Sequence, residues 1–144
     1  MSHAPSPMVE RFVELFNQLG AGNLQLLDEL YGADALFVDP LHRIEGLAAI
    51  KDYFATLYQR VEECRFELLD HTGRPGDEVL SWRMTLRHPR LGGGKPVVVE
   101  GCSWLKYDQQ IRYHRDFFDV GAMLYEQLPL VGSVVRAIKR QVAA

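Results

Sequence analysis

Leu80-Ser81-Trp82-Arg83-Met84-Thr85-Leu86-Arg87 is the stretch that decides the fold. Large apolar residues take every second position, so the segment reads as a strand. Leu80, Trp82, Met84 and Leu86 point to one covered face, and Ser81, Arg83, Thr85 and Arg87 to the other. Upstream, Cys64, Phe66 and Leu68 alternate with Arg65 and Glu67, and Gly73-Arg74-Pro75-Gly76-Asp77 turns the chain between the two strands. Downstream, the glycine-rich loop Pro89 to Gly94 reads as a hairpin connection. It is not a phosphate cradle, because no strand-loop-helix with a following Lys-Ser/Thr surrounds it. Val97 to Tyr107 and Ile111 to Asp119 complete a meander of four antiparallel strands, with a tight turn at Asp108-Gln109-Gln110.

The N-terminal half has a different period. Ser6-Pro7 is a helix-start signal, and Met8, Val9, Phe12, Val13, Phe16 and Leu19 follow at helical spacing. After Gly20-Ala21-Gly22, Asn23 can cap a second, shorter helix carrying Leu26, Leu27, Leu30 and Tyr31, closed by Gly32. Ala35 to Asp39 reads as a short strand ended by Pro40, which has no amide to give a ladder. A third helix follows Gly46, with Leu47, Ile50, Phe54, Leu57, Tyr58 and Val61 on one face. Segregated helices and strands predict an α+β domain: a cone-shaped, curved antiparallel sheet wrapped around N-terminal helices. Helices cannot fill the whole concavity of such a sheet, so a pocket is expected between the layers.

The bulk numbers bound the function. The chain has 144 residues, expected to form a single domain over 1–144. Residues 1–7 read as a flexible lead without signal-peptide character, and 121–144 as a C-terminal amphipathic helical tail. Hydrophobic residues make up 47% and charged residues 24%, as in ordinary globular proteins. No apolar run approaches the roughly 20 residues a bilayer needs. A net charge of −3 argues against nucleic acid as a partner, since phosphate binding needs a basic face. Cys64 and Cys102 cannot build a disulfide framework and lack metal-like spacing, so a cytoplasmic location is expected.

Two segments carry a resemblance. Ala35-Leu36-Phe37-Val38-Asp39-Pro40, followed by Gly46-Leu47-Ala48-Ala49-Ile50-Lys51-Asp52-Tyr53-Phe54, resembles the ketosteroid-isomerase segment in which a strand ends in Asp-Pro before a Gly-x-x-x-Ile helix. His114-Arg115-Asp116-Phe117-Phe118-Asp119 is similar to the Arg-Asp-Tyr-Phe-Asp ending of the last strand in limonene-epoxide hydrolases. With the element order from Met8 to Asp119, these resemble the nuclear-transport-factor-2-like superfamily, a cystatin-like roll that also includes SnoaL-like polyketide cyclases.

The resemblance implies roles only in part. Asp39 falls on the isomerase base, but the donor tyrosine falls on Phe12 and the donor aspartate on Ser103. Losing two such donors, each worth ~3 kcal/mol, speaks against that steroid chemistry. Asp116 falls on one catalytic aspartate of the epoxide hydrolases. Their Arg-x-Asp pair falls on Trp82 and Met84, and their water-positioning Tyr and Asn on Phe37 and Asp39. Both comparisons put Asp39, Trp82, Met84, His114 and Asp116 on the cavity side.

Three residues are candidates for catalysis: Asp39, His114 and Asp116. Asp39 at the mouth of an apolar cavity would lose hydration and become a readier proton acceptor; equally, it could simply cap the turn through Pro40 to His42. His114 and Asp116 leave one strand face about 6.6 Å apart, within reach for a carboxylate that orients an imidazole. The alternatives are a salt bridge to Arg112 or Arg115, or an outward face altogether. Phe12, Tyr53, Trp82, Met84, Trp104 and Phe118 are the expected ligand-contacting residues, although such stripes are commonly plain core. His42, His71 and His88 sit in turns and read as surface.

No histidine pair has ligand spacing and no nucleotide, flavin or nicotinamide motif is present, so neither metal nor cofactor is expected. The tail carries Leu124, Leu128, Leu130, Val131, Val134, Val135 and Ile138 on one side and Arg136, Lys139 and Arg140 beyond. It is expected to cover the mouth of its own domain or a partner subunit rather than contact a membrane. A homodimer is expected through the outer sheet face, with Val98, Tyr113 and Phe117 as candidates. The expected function is general acid/base proton transfer, of isomerase, cyclase or hydrolase type, on a small, mostly apolar carbonyl or polyketide-like compound. The rival is a non-catalytic ligand-binding or protein-interaction module.

Overall fold

Helix α1 (Pro7–Gln18) begins where the sequence signals it, and the cap does a second job. In the computed structural model, which describes residues 4–123 and 129–143, Ser6 Oγ accepts from the Val9 amide at 3.2 Å. The same hydroxyl donates to Glu78 at 2.6 Å, tying the helix start to the sheet. Val9, Phe12 and Phe16 turn inward from this helix and are buried.

The next segment differs from the expectation. Leu24–Glu29 is a 3-10 helix, and Tyr31 already belongs to strand β1 (Tyr31–Val38). The reason is a tertiary hydrogen bond: the Ile111 amide donates to the Leu30 carbonyl at 2.9 Å and draws the chain into the sheet one residue later. Gly32 does not stop a helix. The Arg112 guanidinium crosses the place where a Cβ would sit, 2.3 Å from it, so a larger residue there would push that flexible side chain aside.

Strand β2 (Arg43–Glu45) escaped the sequence reading because three residues with one inward side chain, Ile44, carry no period. Helix α2 (Leu47–Tyr58) buries Ile50, Phe54 and Tyr58. Strands β3 (Glu63–Arg74), β4 (Asp77–Arg87), β5 (Val97–Tyr107) and β6 (Ile111–Phe118) form the expected antiparallel meander. The full sheet has the order β2-β1-β6-β5-β4-β3 and is curved but unclosed. One junction is not antiparallel: β1 runs parallel to β6, with Phe37 beside His114 and Val38 beside Arg115. Val38–Arg115 is the last pair of this junction, and Asp39 follows directly where β1 ends.

β4 alternates as its sequence demands, with Leu80, Trp82, Met84 and Leu86 buried. After β6 comes a single helical turn, α3 (Val120–Met123), and then α4 (Pro129–Ala143). Leu124, Leu128 and the side chain of Leu130 lie outside the described residues, as do residues 1–3 of the expected lead. Lys139 of α4 is ion-paired with Asp119 at the end of β6. The apolar side of α4 nonetheless stands open at Val131, Val134 and Ile138, and no described residue of this helix lines the cavity. Of the expected tail, Met123 in α3 lines the cavity. Among the described residues no helix is long and apolar enough to cross a membrane.

Candidate functional site

A cavity of about 400 Å³ lies between the sheet and the two long N-terminal helices. Phe12 and Phe16 from α1, Tyr53 and Phe54 from α2, and Trp82 and Met84 from β4 form most of its wall, with Phe118 from β6. Asp39, His114 and Asp116 line it too, so the three candidate residues are brought together. Trp104 is not. It sits on the opposite sheet face, where its indole donates to Asp77 at 2.7 Å and Lys106 lies over its ring at 4.5 Å. The register explains this: on β5 the inward positions are Gly101, Ser103 and Leu105, and Trp104 falls between them.

At the inner end of the cavity a hydrogen-bonded chain runs through five side chains. Trp82 Nε1 donates to Ser103 Oγ at 2.9 Å, and Ser103 Oγ donates to Asp116 Oδ1 at 2.5 Å. His114 Nε2 lies 2.6 Å from the same Oδ1, and Tyr31 Oη lies 2.6 Å from His114 Nδ1. His114 is 1% exposed and packed edge-on against Phe12 and Phe37, at ring distances of 5.1 and 4.9 Å. Burial, reinforced by the Asp116 charge, holds the Tyr31 phenol well above its ordinary pKa, so it stays protonated. A buried phenol must donate, and Nδ1 is the acceptor it meets. Nε2 therefore carries the imidazole proton and gives it to Asp116.

This reverses the expected order of command. The imidazole orients the carboxylate, and neither ring nitrogen is left for a ligand. Both Ser103 and His114 engage Oδ1 of Asp116, which leaves Oδ2 for the cavity. With a side chain 19% exposed, Asp116 is the reachable member of the chain. Sequence reasoning missed Tyr31 because it was assigned to a helix stripe. Its phenol, isolated among leucines, was the available signal.

At the mouth the arrangement is different. Asp39 Oδ1 accepts from the amides of Leu41 at 2.8 Å and His42 at 2.7 Å, which is the turn-capping role. His42 Nδ1 lies 3.0 and 3.2 Å from the two carboxylate oxygens, and Tyr53 donates to Oδ2 at 3.3 Å. The Asp39 side chain is only 4% exposed, while that of His42 is 41% exposed. His42, read from sequence as surface, lines the cavity and packs against Tyr53 at 4.8 Å between rings. Burial first, then the neighbouring Asp39 charge, raises the Tyr53 phenol, so Tyr53 remains a donor. Asp39 thus caps the turn and also lines the cavity.

Cys64 also lines the cavity, but burial pushes its thiol up to about 11, against a lowering hydrogen bond from Tyr58. A thiol held protonated is a poor nucleophile. The cavity wall includes no Lys or Arg among the described residues, and none of their His, Cys, Asp and Glu side chains form a group of three suited to a metal.

A family model for the SnoaL-like domain matches residues 9–114. Among solved structures, the chain is similar to a candidate SnoaL-like polyketide cyclase from Jannaschia sp. CCS1, at 20% identity and a TM-score of 0.71, over 85% of this chain and 95% of that one. It is similar to a protein of ketosteroid isomerase-like fold from Catenulispora acidiphila, in complex with trimethylamine, at 14% identity and a TM-score of 0.74, over 88% and 96%. It is also similar to TerC co-crystallized with polyporic acid, at 16% identity and a TM-score of 0.67, over 82% and 95%. At these identities the likeness speaks for the fold. No curated protein matches the sequence.

Proposed function

The chain belongs to the SnoaL-like domain family, and from that premise we propose that its cavity binds a small, mostly apolar carbonyl or polyketide-like compound and moves a proton on it. The observation that carries the reading is the posture of Asp116. Two donors hold Oδ1, at 2.5 and 2.6 Å, while Asp116 lines an aromatic cavity, so Oδ2 is the oxygen free of those two donors. A carboxylate so placed can take a proton from a carbon next to a carbonyl and return it to another atom of the same ligand. Isomerisation and ring closure both consist of such steps. That fold relatives have been crystallised with small molecules supports a small ligand here.

The test is hydrogen exchange on 2-tetralone, an apolar ring with acidic C–H bonds beside its carbonyl. In D2O the wild type should wash out those protons above the buffer rate. Asp116→Asn should lower the enzymatic rate by about 100-fold or more. Equal rates for the two proteins would refute the proposal. A melting temperature raised by 2-tetralone without any exchange would favour the non-catalytic ligand-binding alternative. We also propose that two copies pair through the outer sheet face, where Val98 and Phe117 stand exposed.

A further inference from the structure

The mouth of the cavity holds a second pair of ionisable side chains, built with the opposite polarity to the inner one. Inside, the imidazole serves the carboxylate. At the mouth, the carboxylate serves the imidazole. Asp39 is nearly sealed, and its oxygens already accept from two backbone amides, the Tyr53 phenol and the His42 ring. Those contacts occupy both carboxylate oxygens. The carboxylate fixes a tautomer. Acceptor oxygens at 3.0 and 3.2 Å keep a proton on His42 Nδ1. The lone pair is then on Nε2, on the far side of a half-exposed ring that lines the cavity.

We propose that His42, held by Asp39 at the cavity mouth, is a second proton-transfer group whose Nε2 gives a proton to, and takes it back from, a ligand oxygen. The proposal rests on the reading of Asp116 as the carbon base and deepens it. Asp39, His42 and Asp116 all line the one cavity of about 400 Å³, so the two groups face a common ligand. In the forward step, Asp116 Oδ2 takes a proton from the carbon beside the carbonyl. The C–H pair becomes the C=C bond of an enol, and the carbonyl π pair forms the new O–H bond with a proton that His42 Nε2 has first taken up from solvent at the mouth, where its side chain is 41% exposed. Asp116 ends protonated and His42 neutral. The return step reverses both transfers at the rearranged ligand. Asp39 makes this economical, because it compensates the imidazolium charge before the step and holds the ring throughout it.

Two measurements test the proposal, and they fail separately. Long-range ¹H–¹⁵N spectra of the wild type should show His42 as the Nδ1–H tautomer. Adding 2-naphthol, an apolar ring bearing one hydroxyl, should shift the Nε2 resonance, and Asp39→Asn should abolish the tautomer preference. An Nε2–H tautomer, or an Nε2 unmoved by saturating 2-naphthol, overturns the proposal. In 2-tetralone exchange, His42→Gln keeps a hydrogen-bonding amide but cannot transfer a proton, and should cost about tenfold or more. Unchanged exchange in His42→Gln, alongside loss in Asp116→Asn, overturns the role of His42 and leaves the carbon base standing. No exchange by the wild type, with Nε2 still responding to 2-naphthol, removes the carbon base and keeps His42 as the group that meets the ligand oxygen.

Discussion

The phenol of Tyr31 lies 2.6 Å from Nδ1 of His114, deep beneath the cavity, and this contact sets the chemistry of a carboxylate it never touches. It fixes which ring nitrogen holds the proton, and the other nitrogen then fixes Asp116. Tyr31→Phe should leave Nδ1 buried without a donor, at a cost of about 1–3 kcal/mol in urea unfolding. A structural loss alone would stop there. The His114 tautomer should also become mixed in long-range ¹H–¹⁵N spectra, and 2-tetralone exchange should fall with it. A variant that loses stability yet keeps a pure Nε2–H ring would show that Tyr31 only packs.

The geometry of Trp82 depends on a residue with no side chain. A Cβ on Gly101 would come 2.6 Å from the end of the indole, 2.5 Å from the Phe117 carbonyl and 3.0 Å from Phe118. The ring therefore lies over bare backbone, which is how its N–H reaches Ser103. Gly101→Ala should cost about 1–3 kcal/mol through overpacking. It should also shift the tryptophan emission and near-UV circular dichroism, because the indole must leave its partner. A spectrum unchanged from wild type would mean the sheet yields instead.

Much of this was legible in the chain. The alternation through Leu80 to Arg87 gave the sheet and its covered face, while the resemblance, not the periodicity, implied the cavity side of Asp39, His114 and Asp116. What stayed hidden depended on three-dimensional pairing. Tyr31 looked helical because the Leu30–Ile111 hydrogen bond that pulls it into β1 joins residues far apart in sequence. His42 looked like a surface turn residue because its neighbour Tyr53 arrives from α2. Trp104 was expected beside the ligand because an indole needs a partner, and the outer face supplied one in Asp77. Periodicity assigns faces within a strand, but only register says which groups meet.

The outer face carries its own expectation. Val98 is 55% exposed and Phe117 42% exposed on the neighbouring strands β5 and β6, with Arg115 stacked on the Phe117 ring at 4.7 Å. If two copies pair there, the wild type should sediment as a dimer at micromolar concentration. Phe117→Glu should then give a monomer with unchanged far-UV circular dichroism. A wild type that sediments only as a monomer would rule the pairing out.

Alkaline stability follows from Cys64. Its thiol is raised from 9.0 to about 11, chiefly by burial in the cavity wall. The unfolded chain therefore releases this proton first as pH rises. Between about 9 and 11 the unfolded state binds fewer protons than the native one, so stability falls across that window and is fully present below it. Two units correspond to about 2–3 kcal/mol at most, since the thiol is only partly enclosed. Tyr53 and Tyr31, also raised by burial, push in the same direction at higher pH. Cys64→Ala should lower stability at pH 7 through lost packing but flatten the decline between pH 9 and 11. Urea midpoints for both proteins across that range decide the matter, and parallel curves would show that the thiol ionises as freely in the folded chain as in the unfolded one.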